Sequence, residues 1–164
     1  LMIANISADF VTCNAQSLQP SSRKIICKEI NDEGFTFFTN GQSRKGIDIQ
    51  TNNKVALNFM FTLPIIRQVR VEGIAHQVSR EKVIENYKNE VPEYRVNINT
   101  CPQSDRCEMG REGMWEKFEE NSHKDLSECP DYWCGYIVKP TRFEFYQEGL
   151  HRMADRIVYE KNTD

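Results

Sequence analysis

The 164 residues suffice for one domain with a real core, and a hydrophobic content of 39% excludes a disordered chain. A net charge of −3 excludes a nucleic-acid protein working through a bulk positive field, so any anion site has to be local. No apolar run is long enough to span a bilayer. The opening LMIANISADF lacks a basic n-region and a small-residue cleavage site, so a cytoplasmic protein is expected.

In chain order, KIICKEI is a short alternating run, Asn31-Asp32-Glu33-Gly34 is a turn, and GFTFFTN is aromatic and β-branched; together they predict a hairpin. Ser43 reads as the N-cap of a short helix through Ile49. VALNFMF and RQVRVEGIAHQV predict two strands, with Val69 and Val71 on one face of the second. Ser79 caps a helix with Val83, Ile84 and Tyr87 as its apolar stripe. Glu93 to Glu112 is polar and irregular and predicts a long loop. REGMWEKFEEN predicts a third helix; CGYIVKPTRFEFYQ predicts two strands broken at Pro140, and RIVYE a last one. Trp115 and Trp133 are expected in the core and Met153 as a gap-filler, with His76 and His123 on the surface. The pattern favours one mainly β domain over residues 1–164, an antiparallel barrel with a few peripheral helices.

Six cysteines without a secretory signal predict free thiols. Cys101 with Cys107 and Cys129 with Cys134, around His123, have spacings poorly suited to zinc, and no metal is expected.

One basic cluster points to an anion, and a second, in PSSRKIICK, reads by itself as an ordinary strand with charged ends. Ser43, Arg44 and Lys45 stand at a helix start, where free N–H groups and the positive dipole end favour acids, so cations there suggest a bound anion. A solvated basic patch accounts for the same residues. In PSSRKIICK, Arg23 and Ile25 share one strand face, and Lys24, Ile26 and Lys28 the other.

PSSRKIICKEINDEGFTFFTNGQSRKG, RQVRVEG, PQS, FEFYQ and HRMADR stand in the order of the motif blocks of pyridoxamine 5'-phosphate oxidases, and the chain closely resembles that family from Phe10 onward. The resemblance implies a homodimeric split β-barrel with FMN at the dimer interface, and oxidation of the 4'-carbon of pyridoxine or pyridoxamine phosphate with O2. It implies that Arg23, Arg44 and Lys45, with Ser43, hold the FMN phosphate and its surroundings, while Lys24, Ile25 and Ile26 lie along the flavin and Lys28 stands at that strand's end. Phe38 and Thr39 match a Tyr–Thr pair, Gln68 a ring contact, Gln103 and Ser104 a Gln–Ser pair, Tyr146 a Trp wall, and Arg156 the final arginine of the motif.

The substrate side departs from the pattern. Lys28 matches the first residue of the family's substrate-phosphate clamp, and Arg152 matches a substrate-contacting arginine with a catalytic role. A gapless alignment puts Asn86, Glu90 and Tyr94 where the family has Tyr, Arg and Ser; a one-residue shift brings in Tyr87 but restores no Arg. Ala154 replaces a histidine and cannot move a proton, and a carboxylate at Glu90 repels a phosphate. An FMN-dependent oxidoreductase with weakened activity on vitamin B6 phosphates is therefore expected. A flavoprotein for another small molecule and a non-catalytic FMN-binding paralogue are the alternatives.

Overall fold

A computed structural model describes residues 2–162. Among them lie β1 (Met2–Cys13), β2 (Pro20–Asn31), β3 (Gly34–Asn40), α1 (Arg44–Thr51), β4 (Lys54–Phe61), β5 (Arg67–Gln77), α2 (Arg80–Asn89), α3 (Pro92–Thr100), α4 (Gly110–Ser122), β6 (Trp133–Gln147) and β7 (Asp155–Glu160). The sheet runs β3-β2-β1-β4-β5-β6-β7, and a further pairing of β3 with β6 closes six antiparallel strands into a barrel. This is the expected mainly β split barrel with peripheral helices. No helix among the described residues is long and apolar enough to cross a membrane.

The described chain divides into two compact units, residues 2–37, 48–76 and 136–162 in the first and 38–47 and 77–135 in the second. The first unit holds most of the barrel. Alternation in β2 turns Ile25 and Cys27 inward, where they join Phe10, Phe37, Leu57, Val71 and Val138. The ring of Phe37 lies 4.8 Å from Phe10 and 5.8 Å from Tyr136. Barrel closure brings backbone so close to Gly34 (φ +144°) that a Cβ there would sit 2.1 Å from the Val138 carbonyl oxygen, so only glycine fits.

The second unit is built on the helices. Val83, Tyr87, Ile98 and Trp133 form its core, with Phe38, Val78, Tyr94, Cys129 and Tyr132 packed around them. Ser79 caps α2 as expected, accepting from the Lys82 amide.

Several expectations are corrected. β1 is a full strand that hydrophobic alternation did not mark: Ala8 and Phe10 face inward with Asp9 between them, but the inward series then continues through the polar Thr12. Part of the expected loop over 93–112 is α3, whose buried Val96, Ile98 and Thr100 alternate like a strand; its signals were Pro92 at the first turn and Glu93 beside it. β6 runs through Pro140 unbroken. The proline removes one ladder donor, but the Thr141 hydroxyl beside it donates to the Glu72 carbonyl at 3.1 Å. Trp115 is 61% exposed and Met153 74%, so neither is a core residue.

Candidate functional site

In the second unit, four of the singled-out residues meet. Thr39 ends β3, Ser43 stands just before α1, Lys45 lies in its first turn, and Gln103 comes from the loop after α3. Lys45 is 8% exposed. Its ammonium donates to Thr39 Oγ1 (3.0 Å), Ser43 Oγ (3.2 Å) and Gln103 Oε1 (3.3 Å). Gln103 Oε1 also accepts from the Thr39 hydroxyl and the Asn40 amide, which pins the loop to the strand end. The Ser43 hydroxyl is turned back to the Asn40 carbonyl at 2.6 Å. α1 has no acidic residue in its first turn, so nothing acidic on that turn neutralises the basic helix start. Arg44 and Ser104 are exposed, Ser104 with φ +65°, whereas Phe38 packs into the core of this unit.

The first unit carries the other set around a cleft of about 560 Å³, lined by Phe61, Arg67, Gln68, Tyr146, Gln147 and Asp155 among others. The Arg156 guanidinium lies 4.9 Å over the Tyr146 ring and bonds to Glu144. Glu144 is buried and also bonds Arg70 (3.2 Å) and Arg142 (3.3 Å). Burial works to raise its carboxyl pKa, but the three guanidiniums overcome this and hold it below the usual range. On β2, Lys24 and Ile26 face outward and Lys28 is half-buried, while Ile25 is turned inward.

Arg23 is turned to its own unit. Its guanidinium donates to the Phe10 and Ser21 carbonyls (3.2 and 3.0 Å), Thr12 Oγ1 (2.7 Å) and Ser21 Oγ (2.8 Å). The buried Asp48 carboxylate lies 3.9 Å away and accepts from Thr12 at 2.6 Å. Replacing Arg23 with methionine is expected to lower the unfolding free energy by about 2–4 kcal/mol, read as a lower urea midpoint, because it removes the guanidinium beside the buried Asp48 carboxylate together with its bonds to Thr12 and Ser21.

Arg152 is exposed on a tight turn before β7. It and His151 have φ of +66° and +57°, and a Cβ on Gly149 would lie 2.0 Å from the Met153 carbonyl oxygen. Left-handed backbone at two successive non-glycine residues stores strain. Arg152→Gly is therefore expected to leave stability unchanged or raise it by up to about 1 kcal/mol, measured by thermal denaturation. A clear loss would show that the turn is not strained.

Three of the four clamp positions, those of Asn86, Glu90 and Tyr94, lie in the second unit, and Lys28 lies in the first. Tyr87 is fully buried, its hydroxyl donating to the Leu126 carbonyl (3.0 Å) and accepting from Asn99 (2.9 Å), so it offers nothing to a ligand. Tyr94 stands edge-on to Trp133; burial first, then the Glu90 charge, pushes its hydroxyl pKa up. The buried Asn86 Oδ1 has no hydrogen-bond partner among the described residues. Ala154 is half-buried. Among the described residues no three His, Cys, Asp or Glu side chains gather to hold a metal ion, and the cysteines are free thiols.

Sequence reasoning missed Asp9, Asn58 and Glu144. The signal for Asp9 and Asn58 was a polar residue between inward-facing apolar neighbours, Ala8 and Phe10 for the first and Leu57 and Phe59 for the second; Glu144 is itself the buried residue, between half-buried Phe143 and exposed Phe145.

The closed antiparallel barrel, with β7 paired to the end of β6, defines the split-barrel class. Residues 6–105 match the family described as pyridoxamine 5'-phosphate oxidase, and residues 133–164 match the pyridoxine 5'-phosphate oxidase C-terminal dimerisation region. A pyridoxine/pyridoxamine 5'-phosphate oxidase of Leptospira interrogans is 35% identical over 98% of this chain and 76% of the relative. One from Bordetella pertussis is 36% identical over 91% and 70%. The crystal structure of PhzG from Burkholderia lata, in complex with tetrahydrophenazine-1-carboxylic acid, superposes with a TM-score of 0.87 at 21% identity, over 98% of this chain and 78% of that one. A pyridoxamine 5'-phosphate oxidase-related, FMN-binding protein of Nostoc punctiforme gives 0.70 at 15% identity, over 95% and 87%. The chain belongs to the pyridoxamine 5'-phosphate oxidase family. Its match to the dimerisation region indicates a homodimer.

Proposed function

We propose that this chain is an FMN-dependent oxidoreductase, a homodimer with FMN at its interface, whose substrate site has lost the grip on a phosphorylated B6 vitamer. The observation that carries the cofactor reading is the Lys45 ammonium set among Thr39, Ser43 and Gln103 at the start of α1. The Lys45 ammonium, the Thr39 and Ser43 hydroxyls and the start of α1 gather the donor types a phosphate needs, and a bound phosphate would replace the bonds these groups now make to one another, to Gln103 and to the Asn40 carbonyl. In this reading Lys45, Ser43, Thr39 and Arg44 take the phosphate with Gln103 and Ser104 beside it, and Arg23 braces the strand from behind. The backbone of Lys24, Ile25 and Ile26 follows the cofactor, Gln68 meets the ring, and Tyr146 with Arg156 forms its wall. FMN held by these residues would supply two-electron redox chemistry, which none of this chain's own side chains provides.

The substrate reading rests on Lys28 and Arg152 standing without the rest of the clamp. Asn86, Glu90 and Tyr94 bring one negative charge and no cation, and Ala154 moves no proton. A neutral or cationic small molecule suits them better than a phosphate monoester. Purified protein incubated with FMN and then desalted should carry about one flavin per chain, with a perturbed visible spectrum. Free FMN recovered quantitatively in the filtrate would refute the reading.

A further inference from the structure

A polar chain crosses four neighbouring strands on one face of the first unit's sheet. Lys24 on β2 bonds Asp9 on β1 at 2.8 Å; Asn58 on β4 donates to the other Asp9 oxygen at 3.3 Å; Gln68 on β5 donates to Asn58 Oδ1 at 2.8 Å. Register explains the row: Lys24 stands opposite Asp9, and Asp9 opposite Asn58, while Gln68 is the diagonal neighbour. Gln68 lines the cleft.

The direction of this chain follows from hydrogen-bond chemistry. The Lys24 hydrogen bond holds the Asp9 carboxyl below the usual carboxylate range, so it is ionised and can only accept. Asn58 must then turn its NH2 toward Asp9 and its oxygen toward Gln68. Gln68 must in turn give its NH2 to Asn58. That leaves Gln68 Oε1 as the group presented to the cleft.

We infer that Asp9 and Asn58 are positioning residues that fix the amide of Gln68 with its carbonyl oxygen toward the ligand, so that the cleft selects a ring edge bearing an N–H donor. The inference rests on the FMN reading only for the identity of that ring.

Asp9→Asn tests it, because the substituted amide changes the rule at the root. Lys24 keeps the new amide's oxygen, its NH2 faces Asn58, and Asn58 and Gln68 both reverse, leaving an NH2 in the cleft. In 15N-labelled protein without flavin, the Gln68 side-chain NH2 should be protected from solvent exchange in the native chain, and exchange at least tenfold faster in Asp9→Asn. Asn58→Leu, which removes the middle of the chain, should expose it equally. FMN affinity should fall about tenfold in Asp9→Asn, the loss of one hydrogen bond. Gln68 protons that exchange equally fast in the native chain and both variants would overturn the inference, whatever FMN does. Native protein that protects Gln68 but binds no FMN would sustain the positioning role and refute the cofactor reading instead.

Discussion

Lys45→Met is expected to weaken FMN binding by about 10- to 150-fold while leaving the affinity for riboflavin nearly unchanged. The range follows from the roughly 1.5–3 kcal/mol that a hydrogen bond to a charged group contributes. Riboflavin lacks the phosphate, so the loss should fall on FMN alone. Methionine matches the length of the lysine stem without its charge, and a buried charge exchanged for an apolar group often costs little. The flavin-free protein should therefore unfold within about 1 kcal/mol of the native chain, with the Thr39–Gln103 bond retained. Equal losses for both flavins would mean that Lys45 shapes the pocket rather than binding the phosphate. Fluorescence titration of each flavin against each protein gives the four constants needed.

The second large effect concerns the substrate. Turnover of pyridoxamine phosphate should lie two to four orders of magnitude below that of the Bordetella pertussis relative assayed beside it, expressed as kcat/KM. Three missing phosphate contacts at about 1.5–3 kcal/mol each would come to roughly three to seven orders of magnitude if they added, but contacts to one phosphate do not add fully. Glu90 sharpens the expectation, because its charge lies close enough to Tyr94 to raise that hydroxyl's pKa and would oppose a phosphate there. Glu90→Arg combined with Ala154→His should recover at least tenfold of the deficit, the arginine by restoring a cation and the histidine by restoring a proton carrier. Native turnover equal to the relative's would refute the rewritten substrate site.

The sequence made some of this legible and hid the rest for physical reasons. The hairpin of β2 and β3 and the cap at Ser79 are local events, written in neighbouring residues. The gathering of Thr39, Ser43, Lys45 and Gln103 was legible only through the resemblance, since Gln103 is 58 positions from Lys45. The Asp9–Asn58–Gln68 chain was not legible at all. It depends on the register of β1 against β4, between residues 49 apart, and no local pattern encodes that. Arg23's residue type and motif position suggest a ligand contact, whereas the bonds of its guanidinium to Thr12, Ser21 and the Phe10 carbonyl depend on the register of β1 against β2 and were not legible. α3 escaped because a half-buried helix with two asparagines has little apolar periodicity to detect.

The central claim is that the second unit holds a cofactor phosphate. Titration of the native flavin-free protein with FMN and with riboflavin, side by side, tests it most directly. FMN should saturate at one per chain and bind at least tenfold more tightly than riboflavin; equal affinities, or no binding of either, would contradict the account.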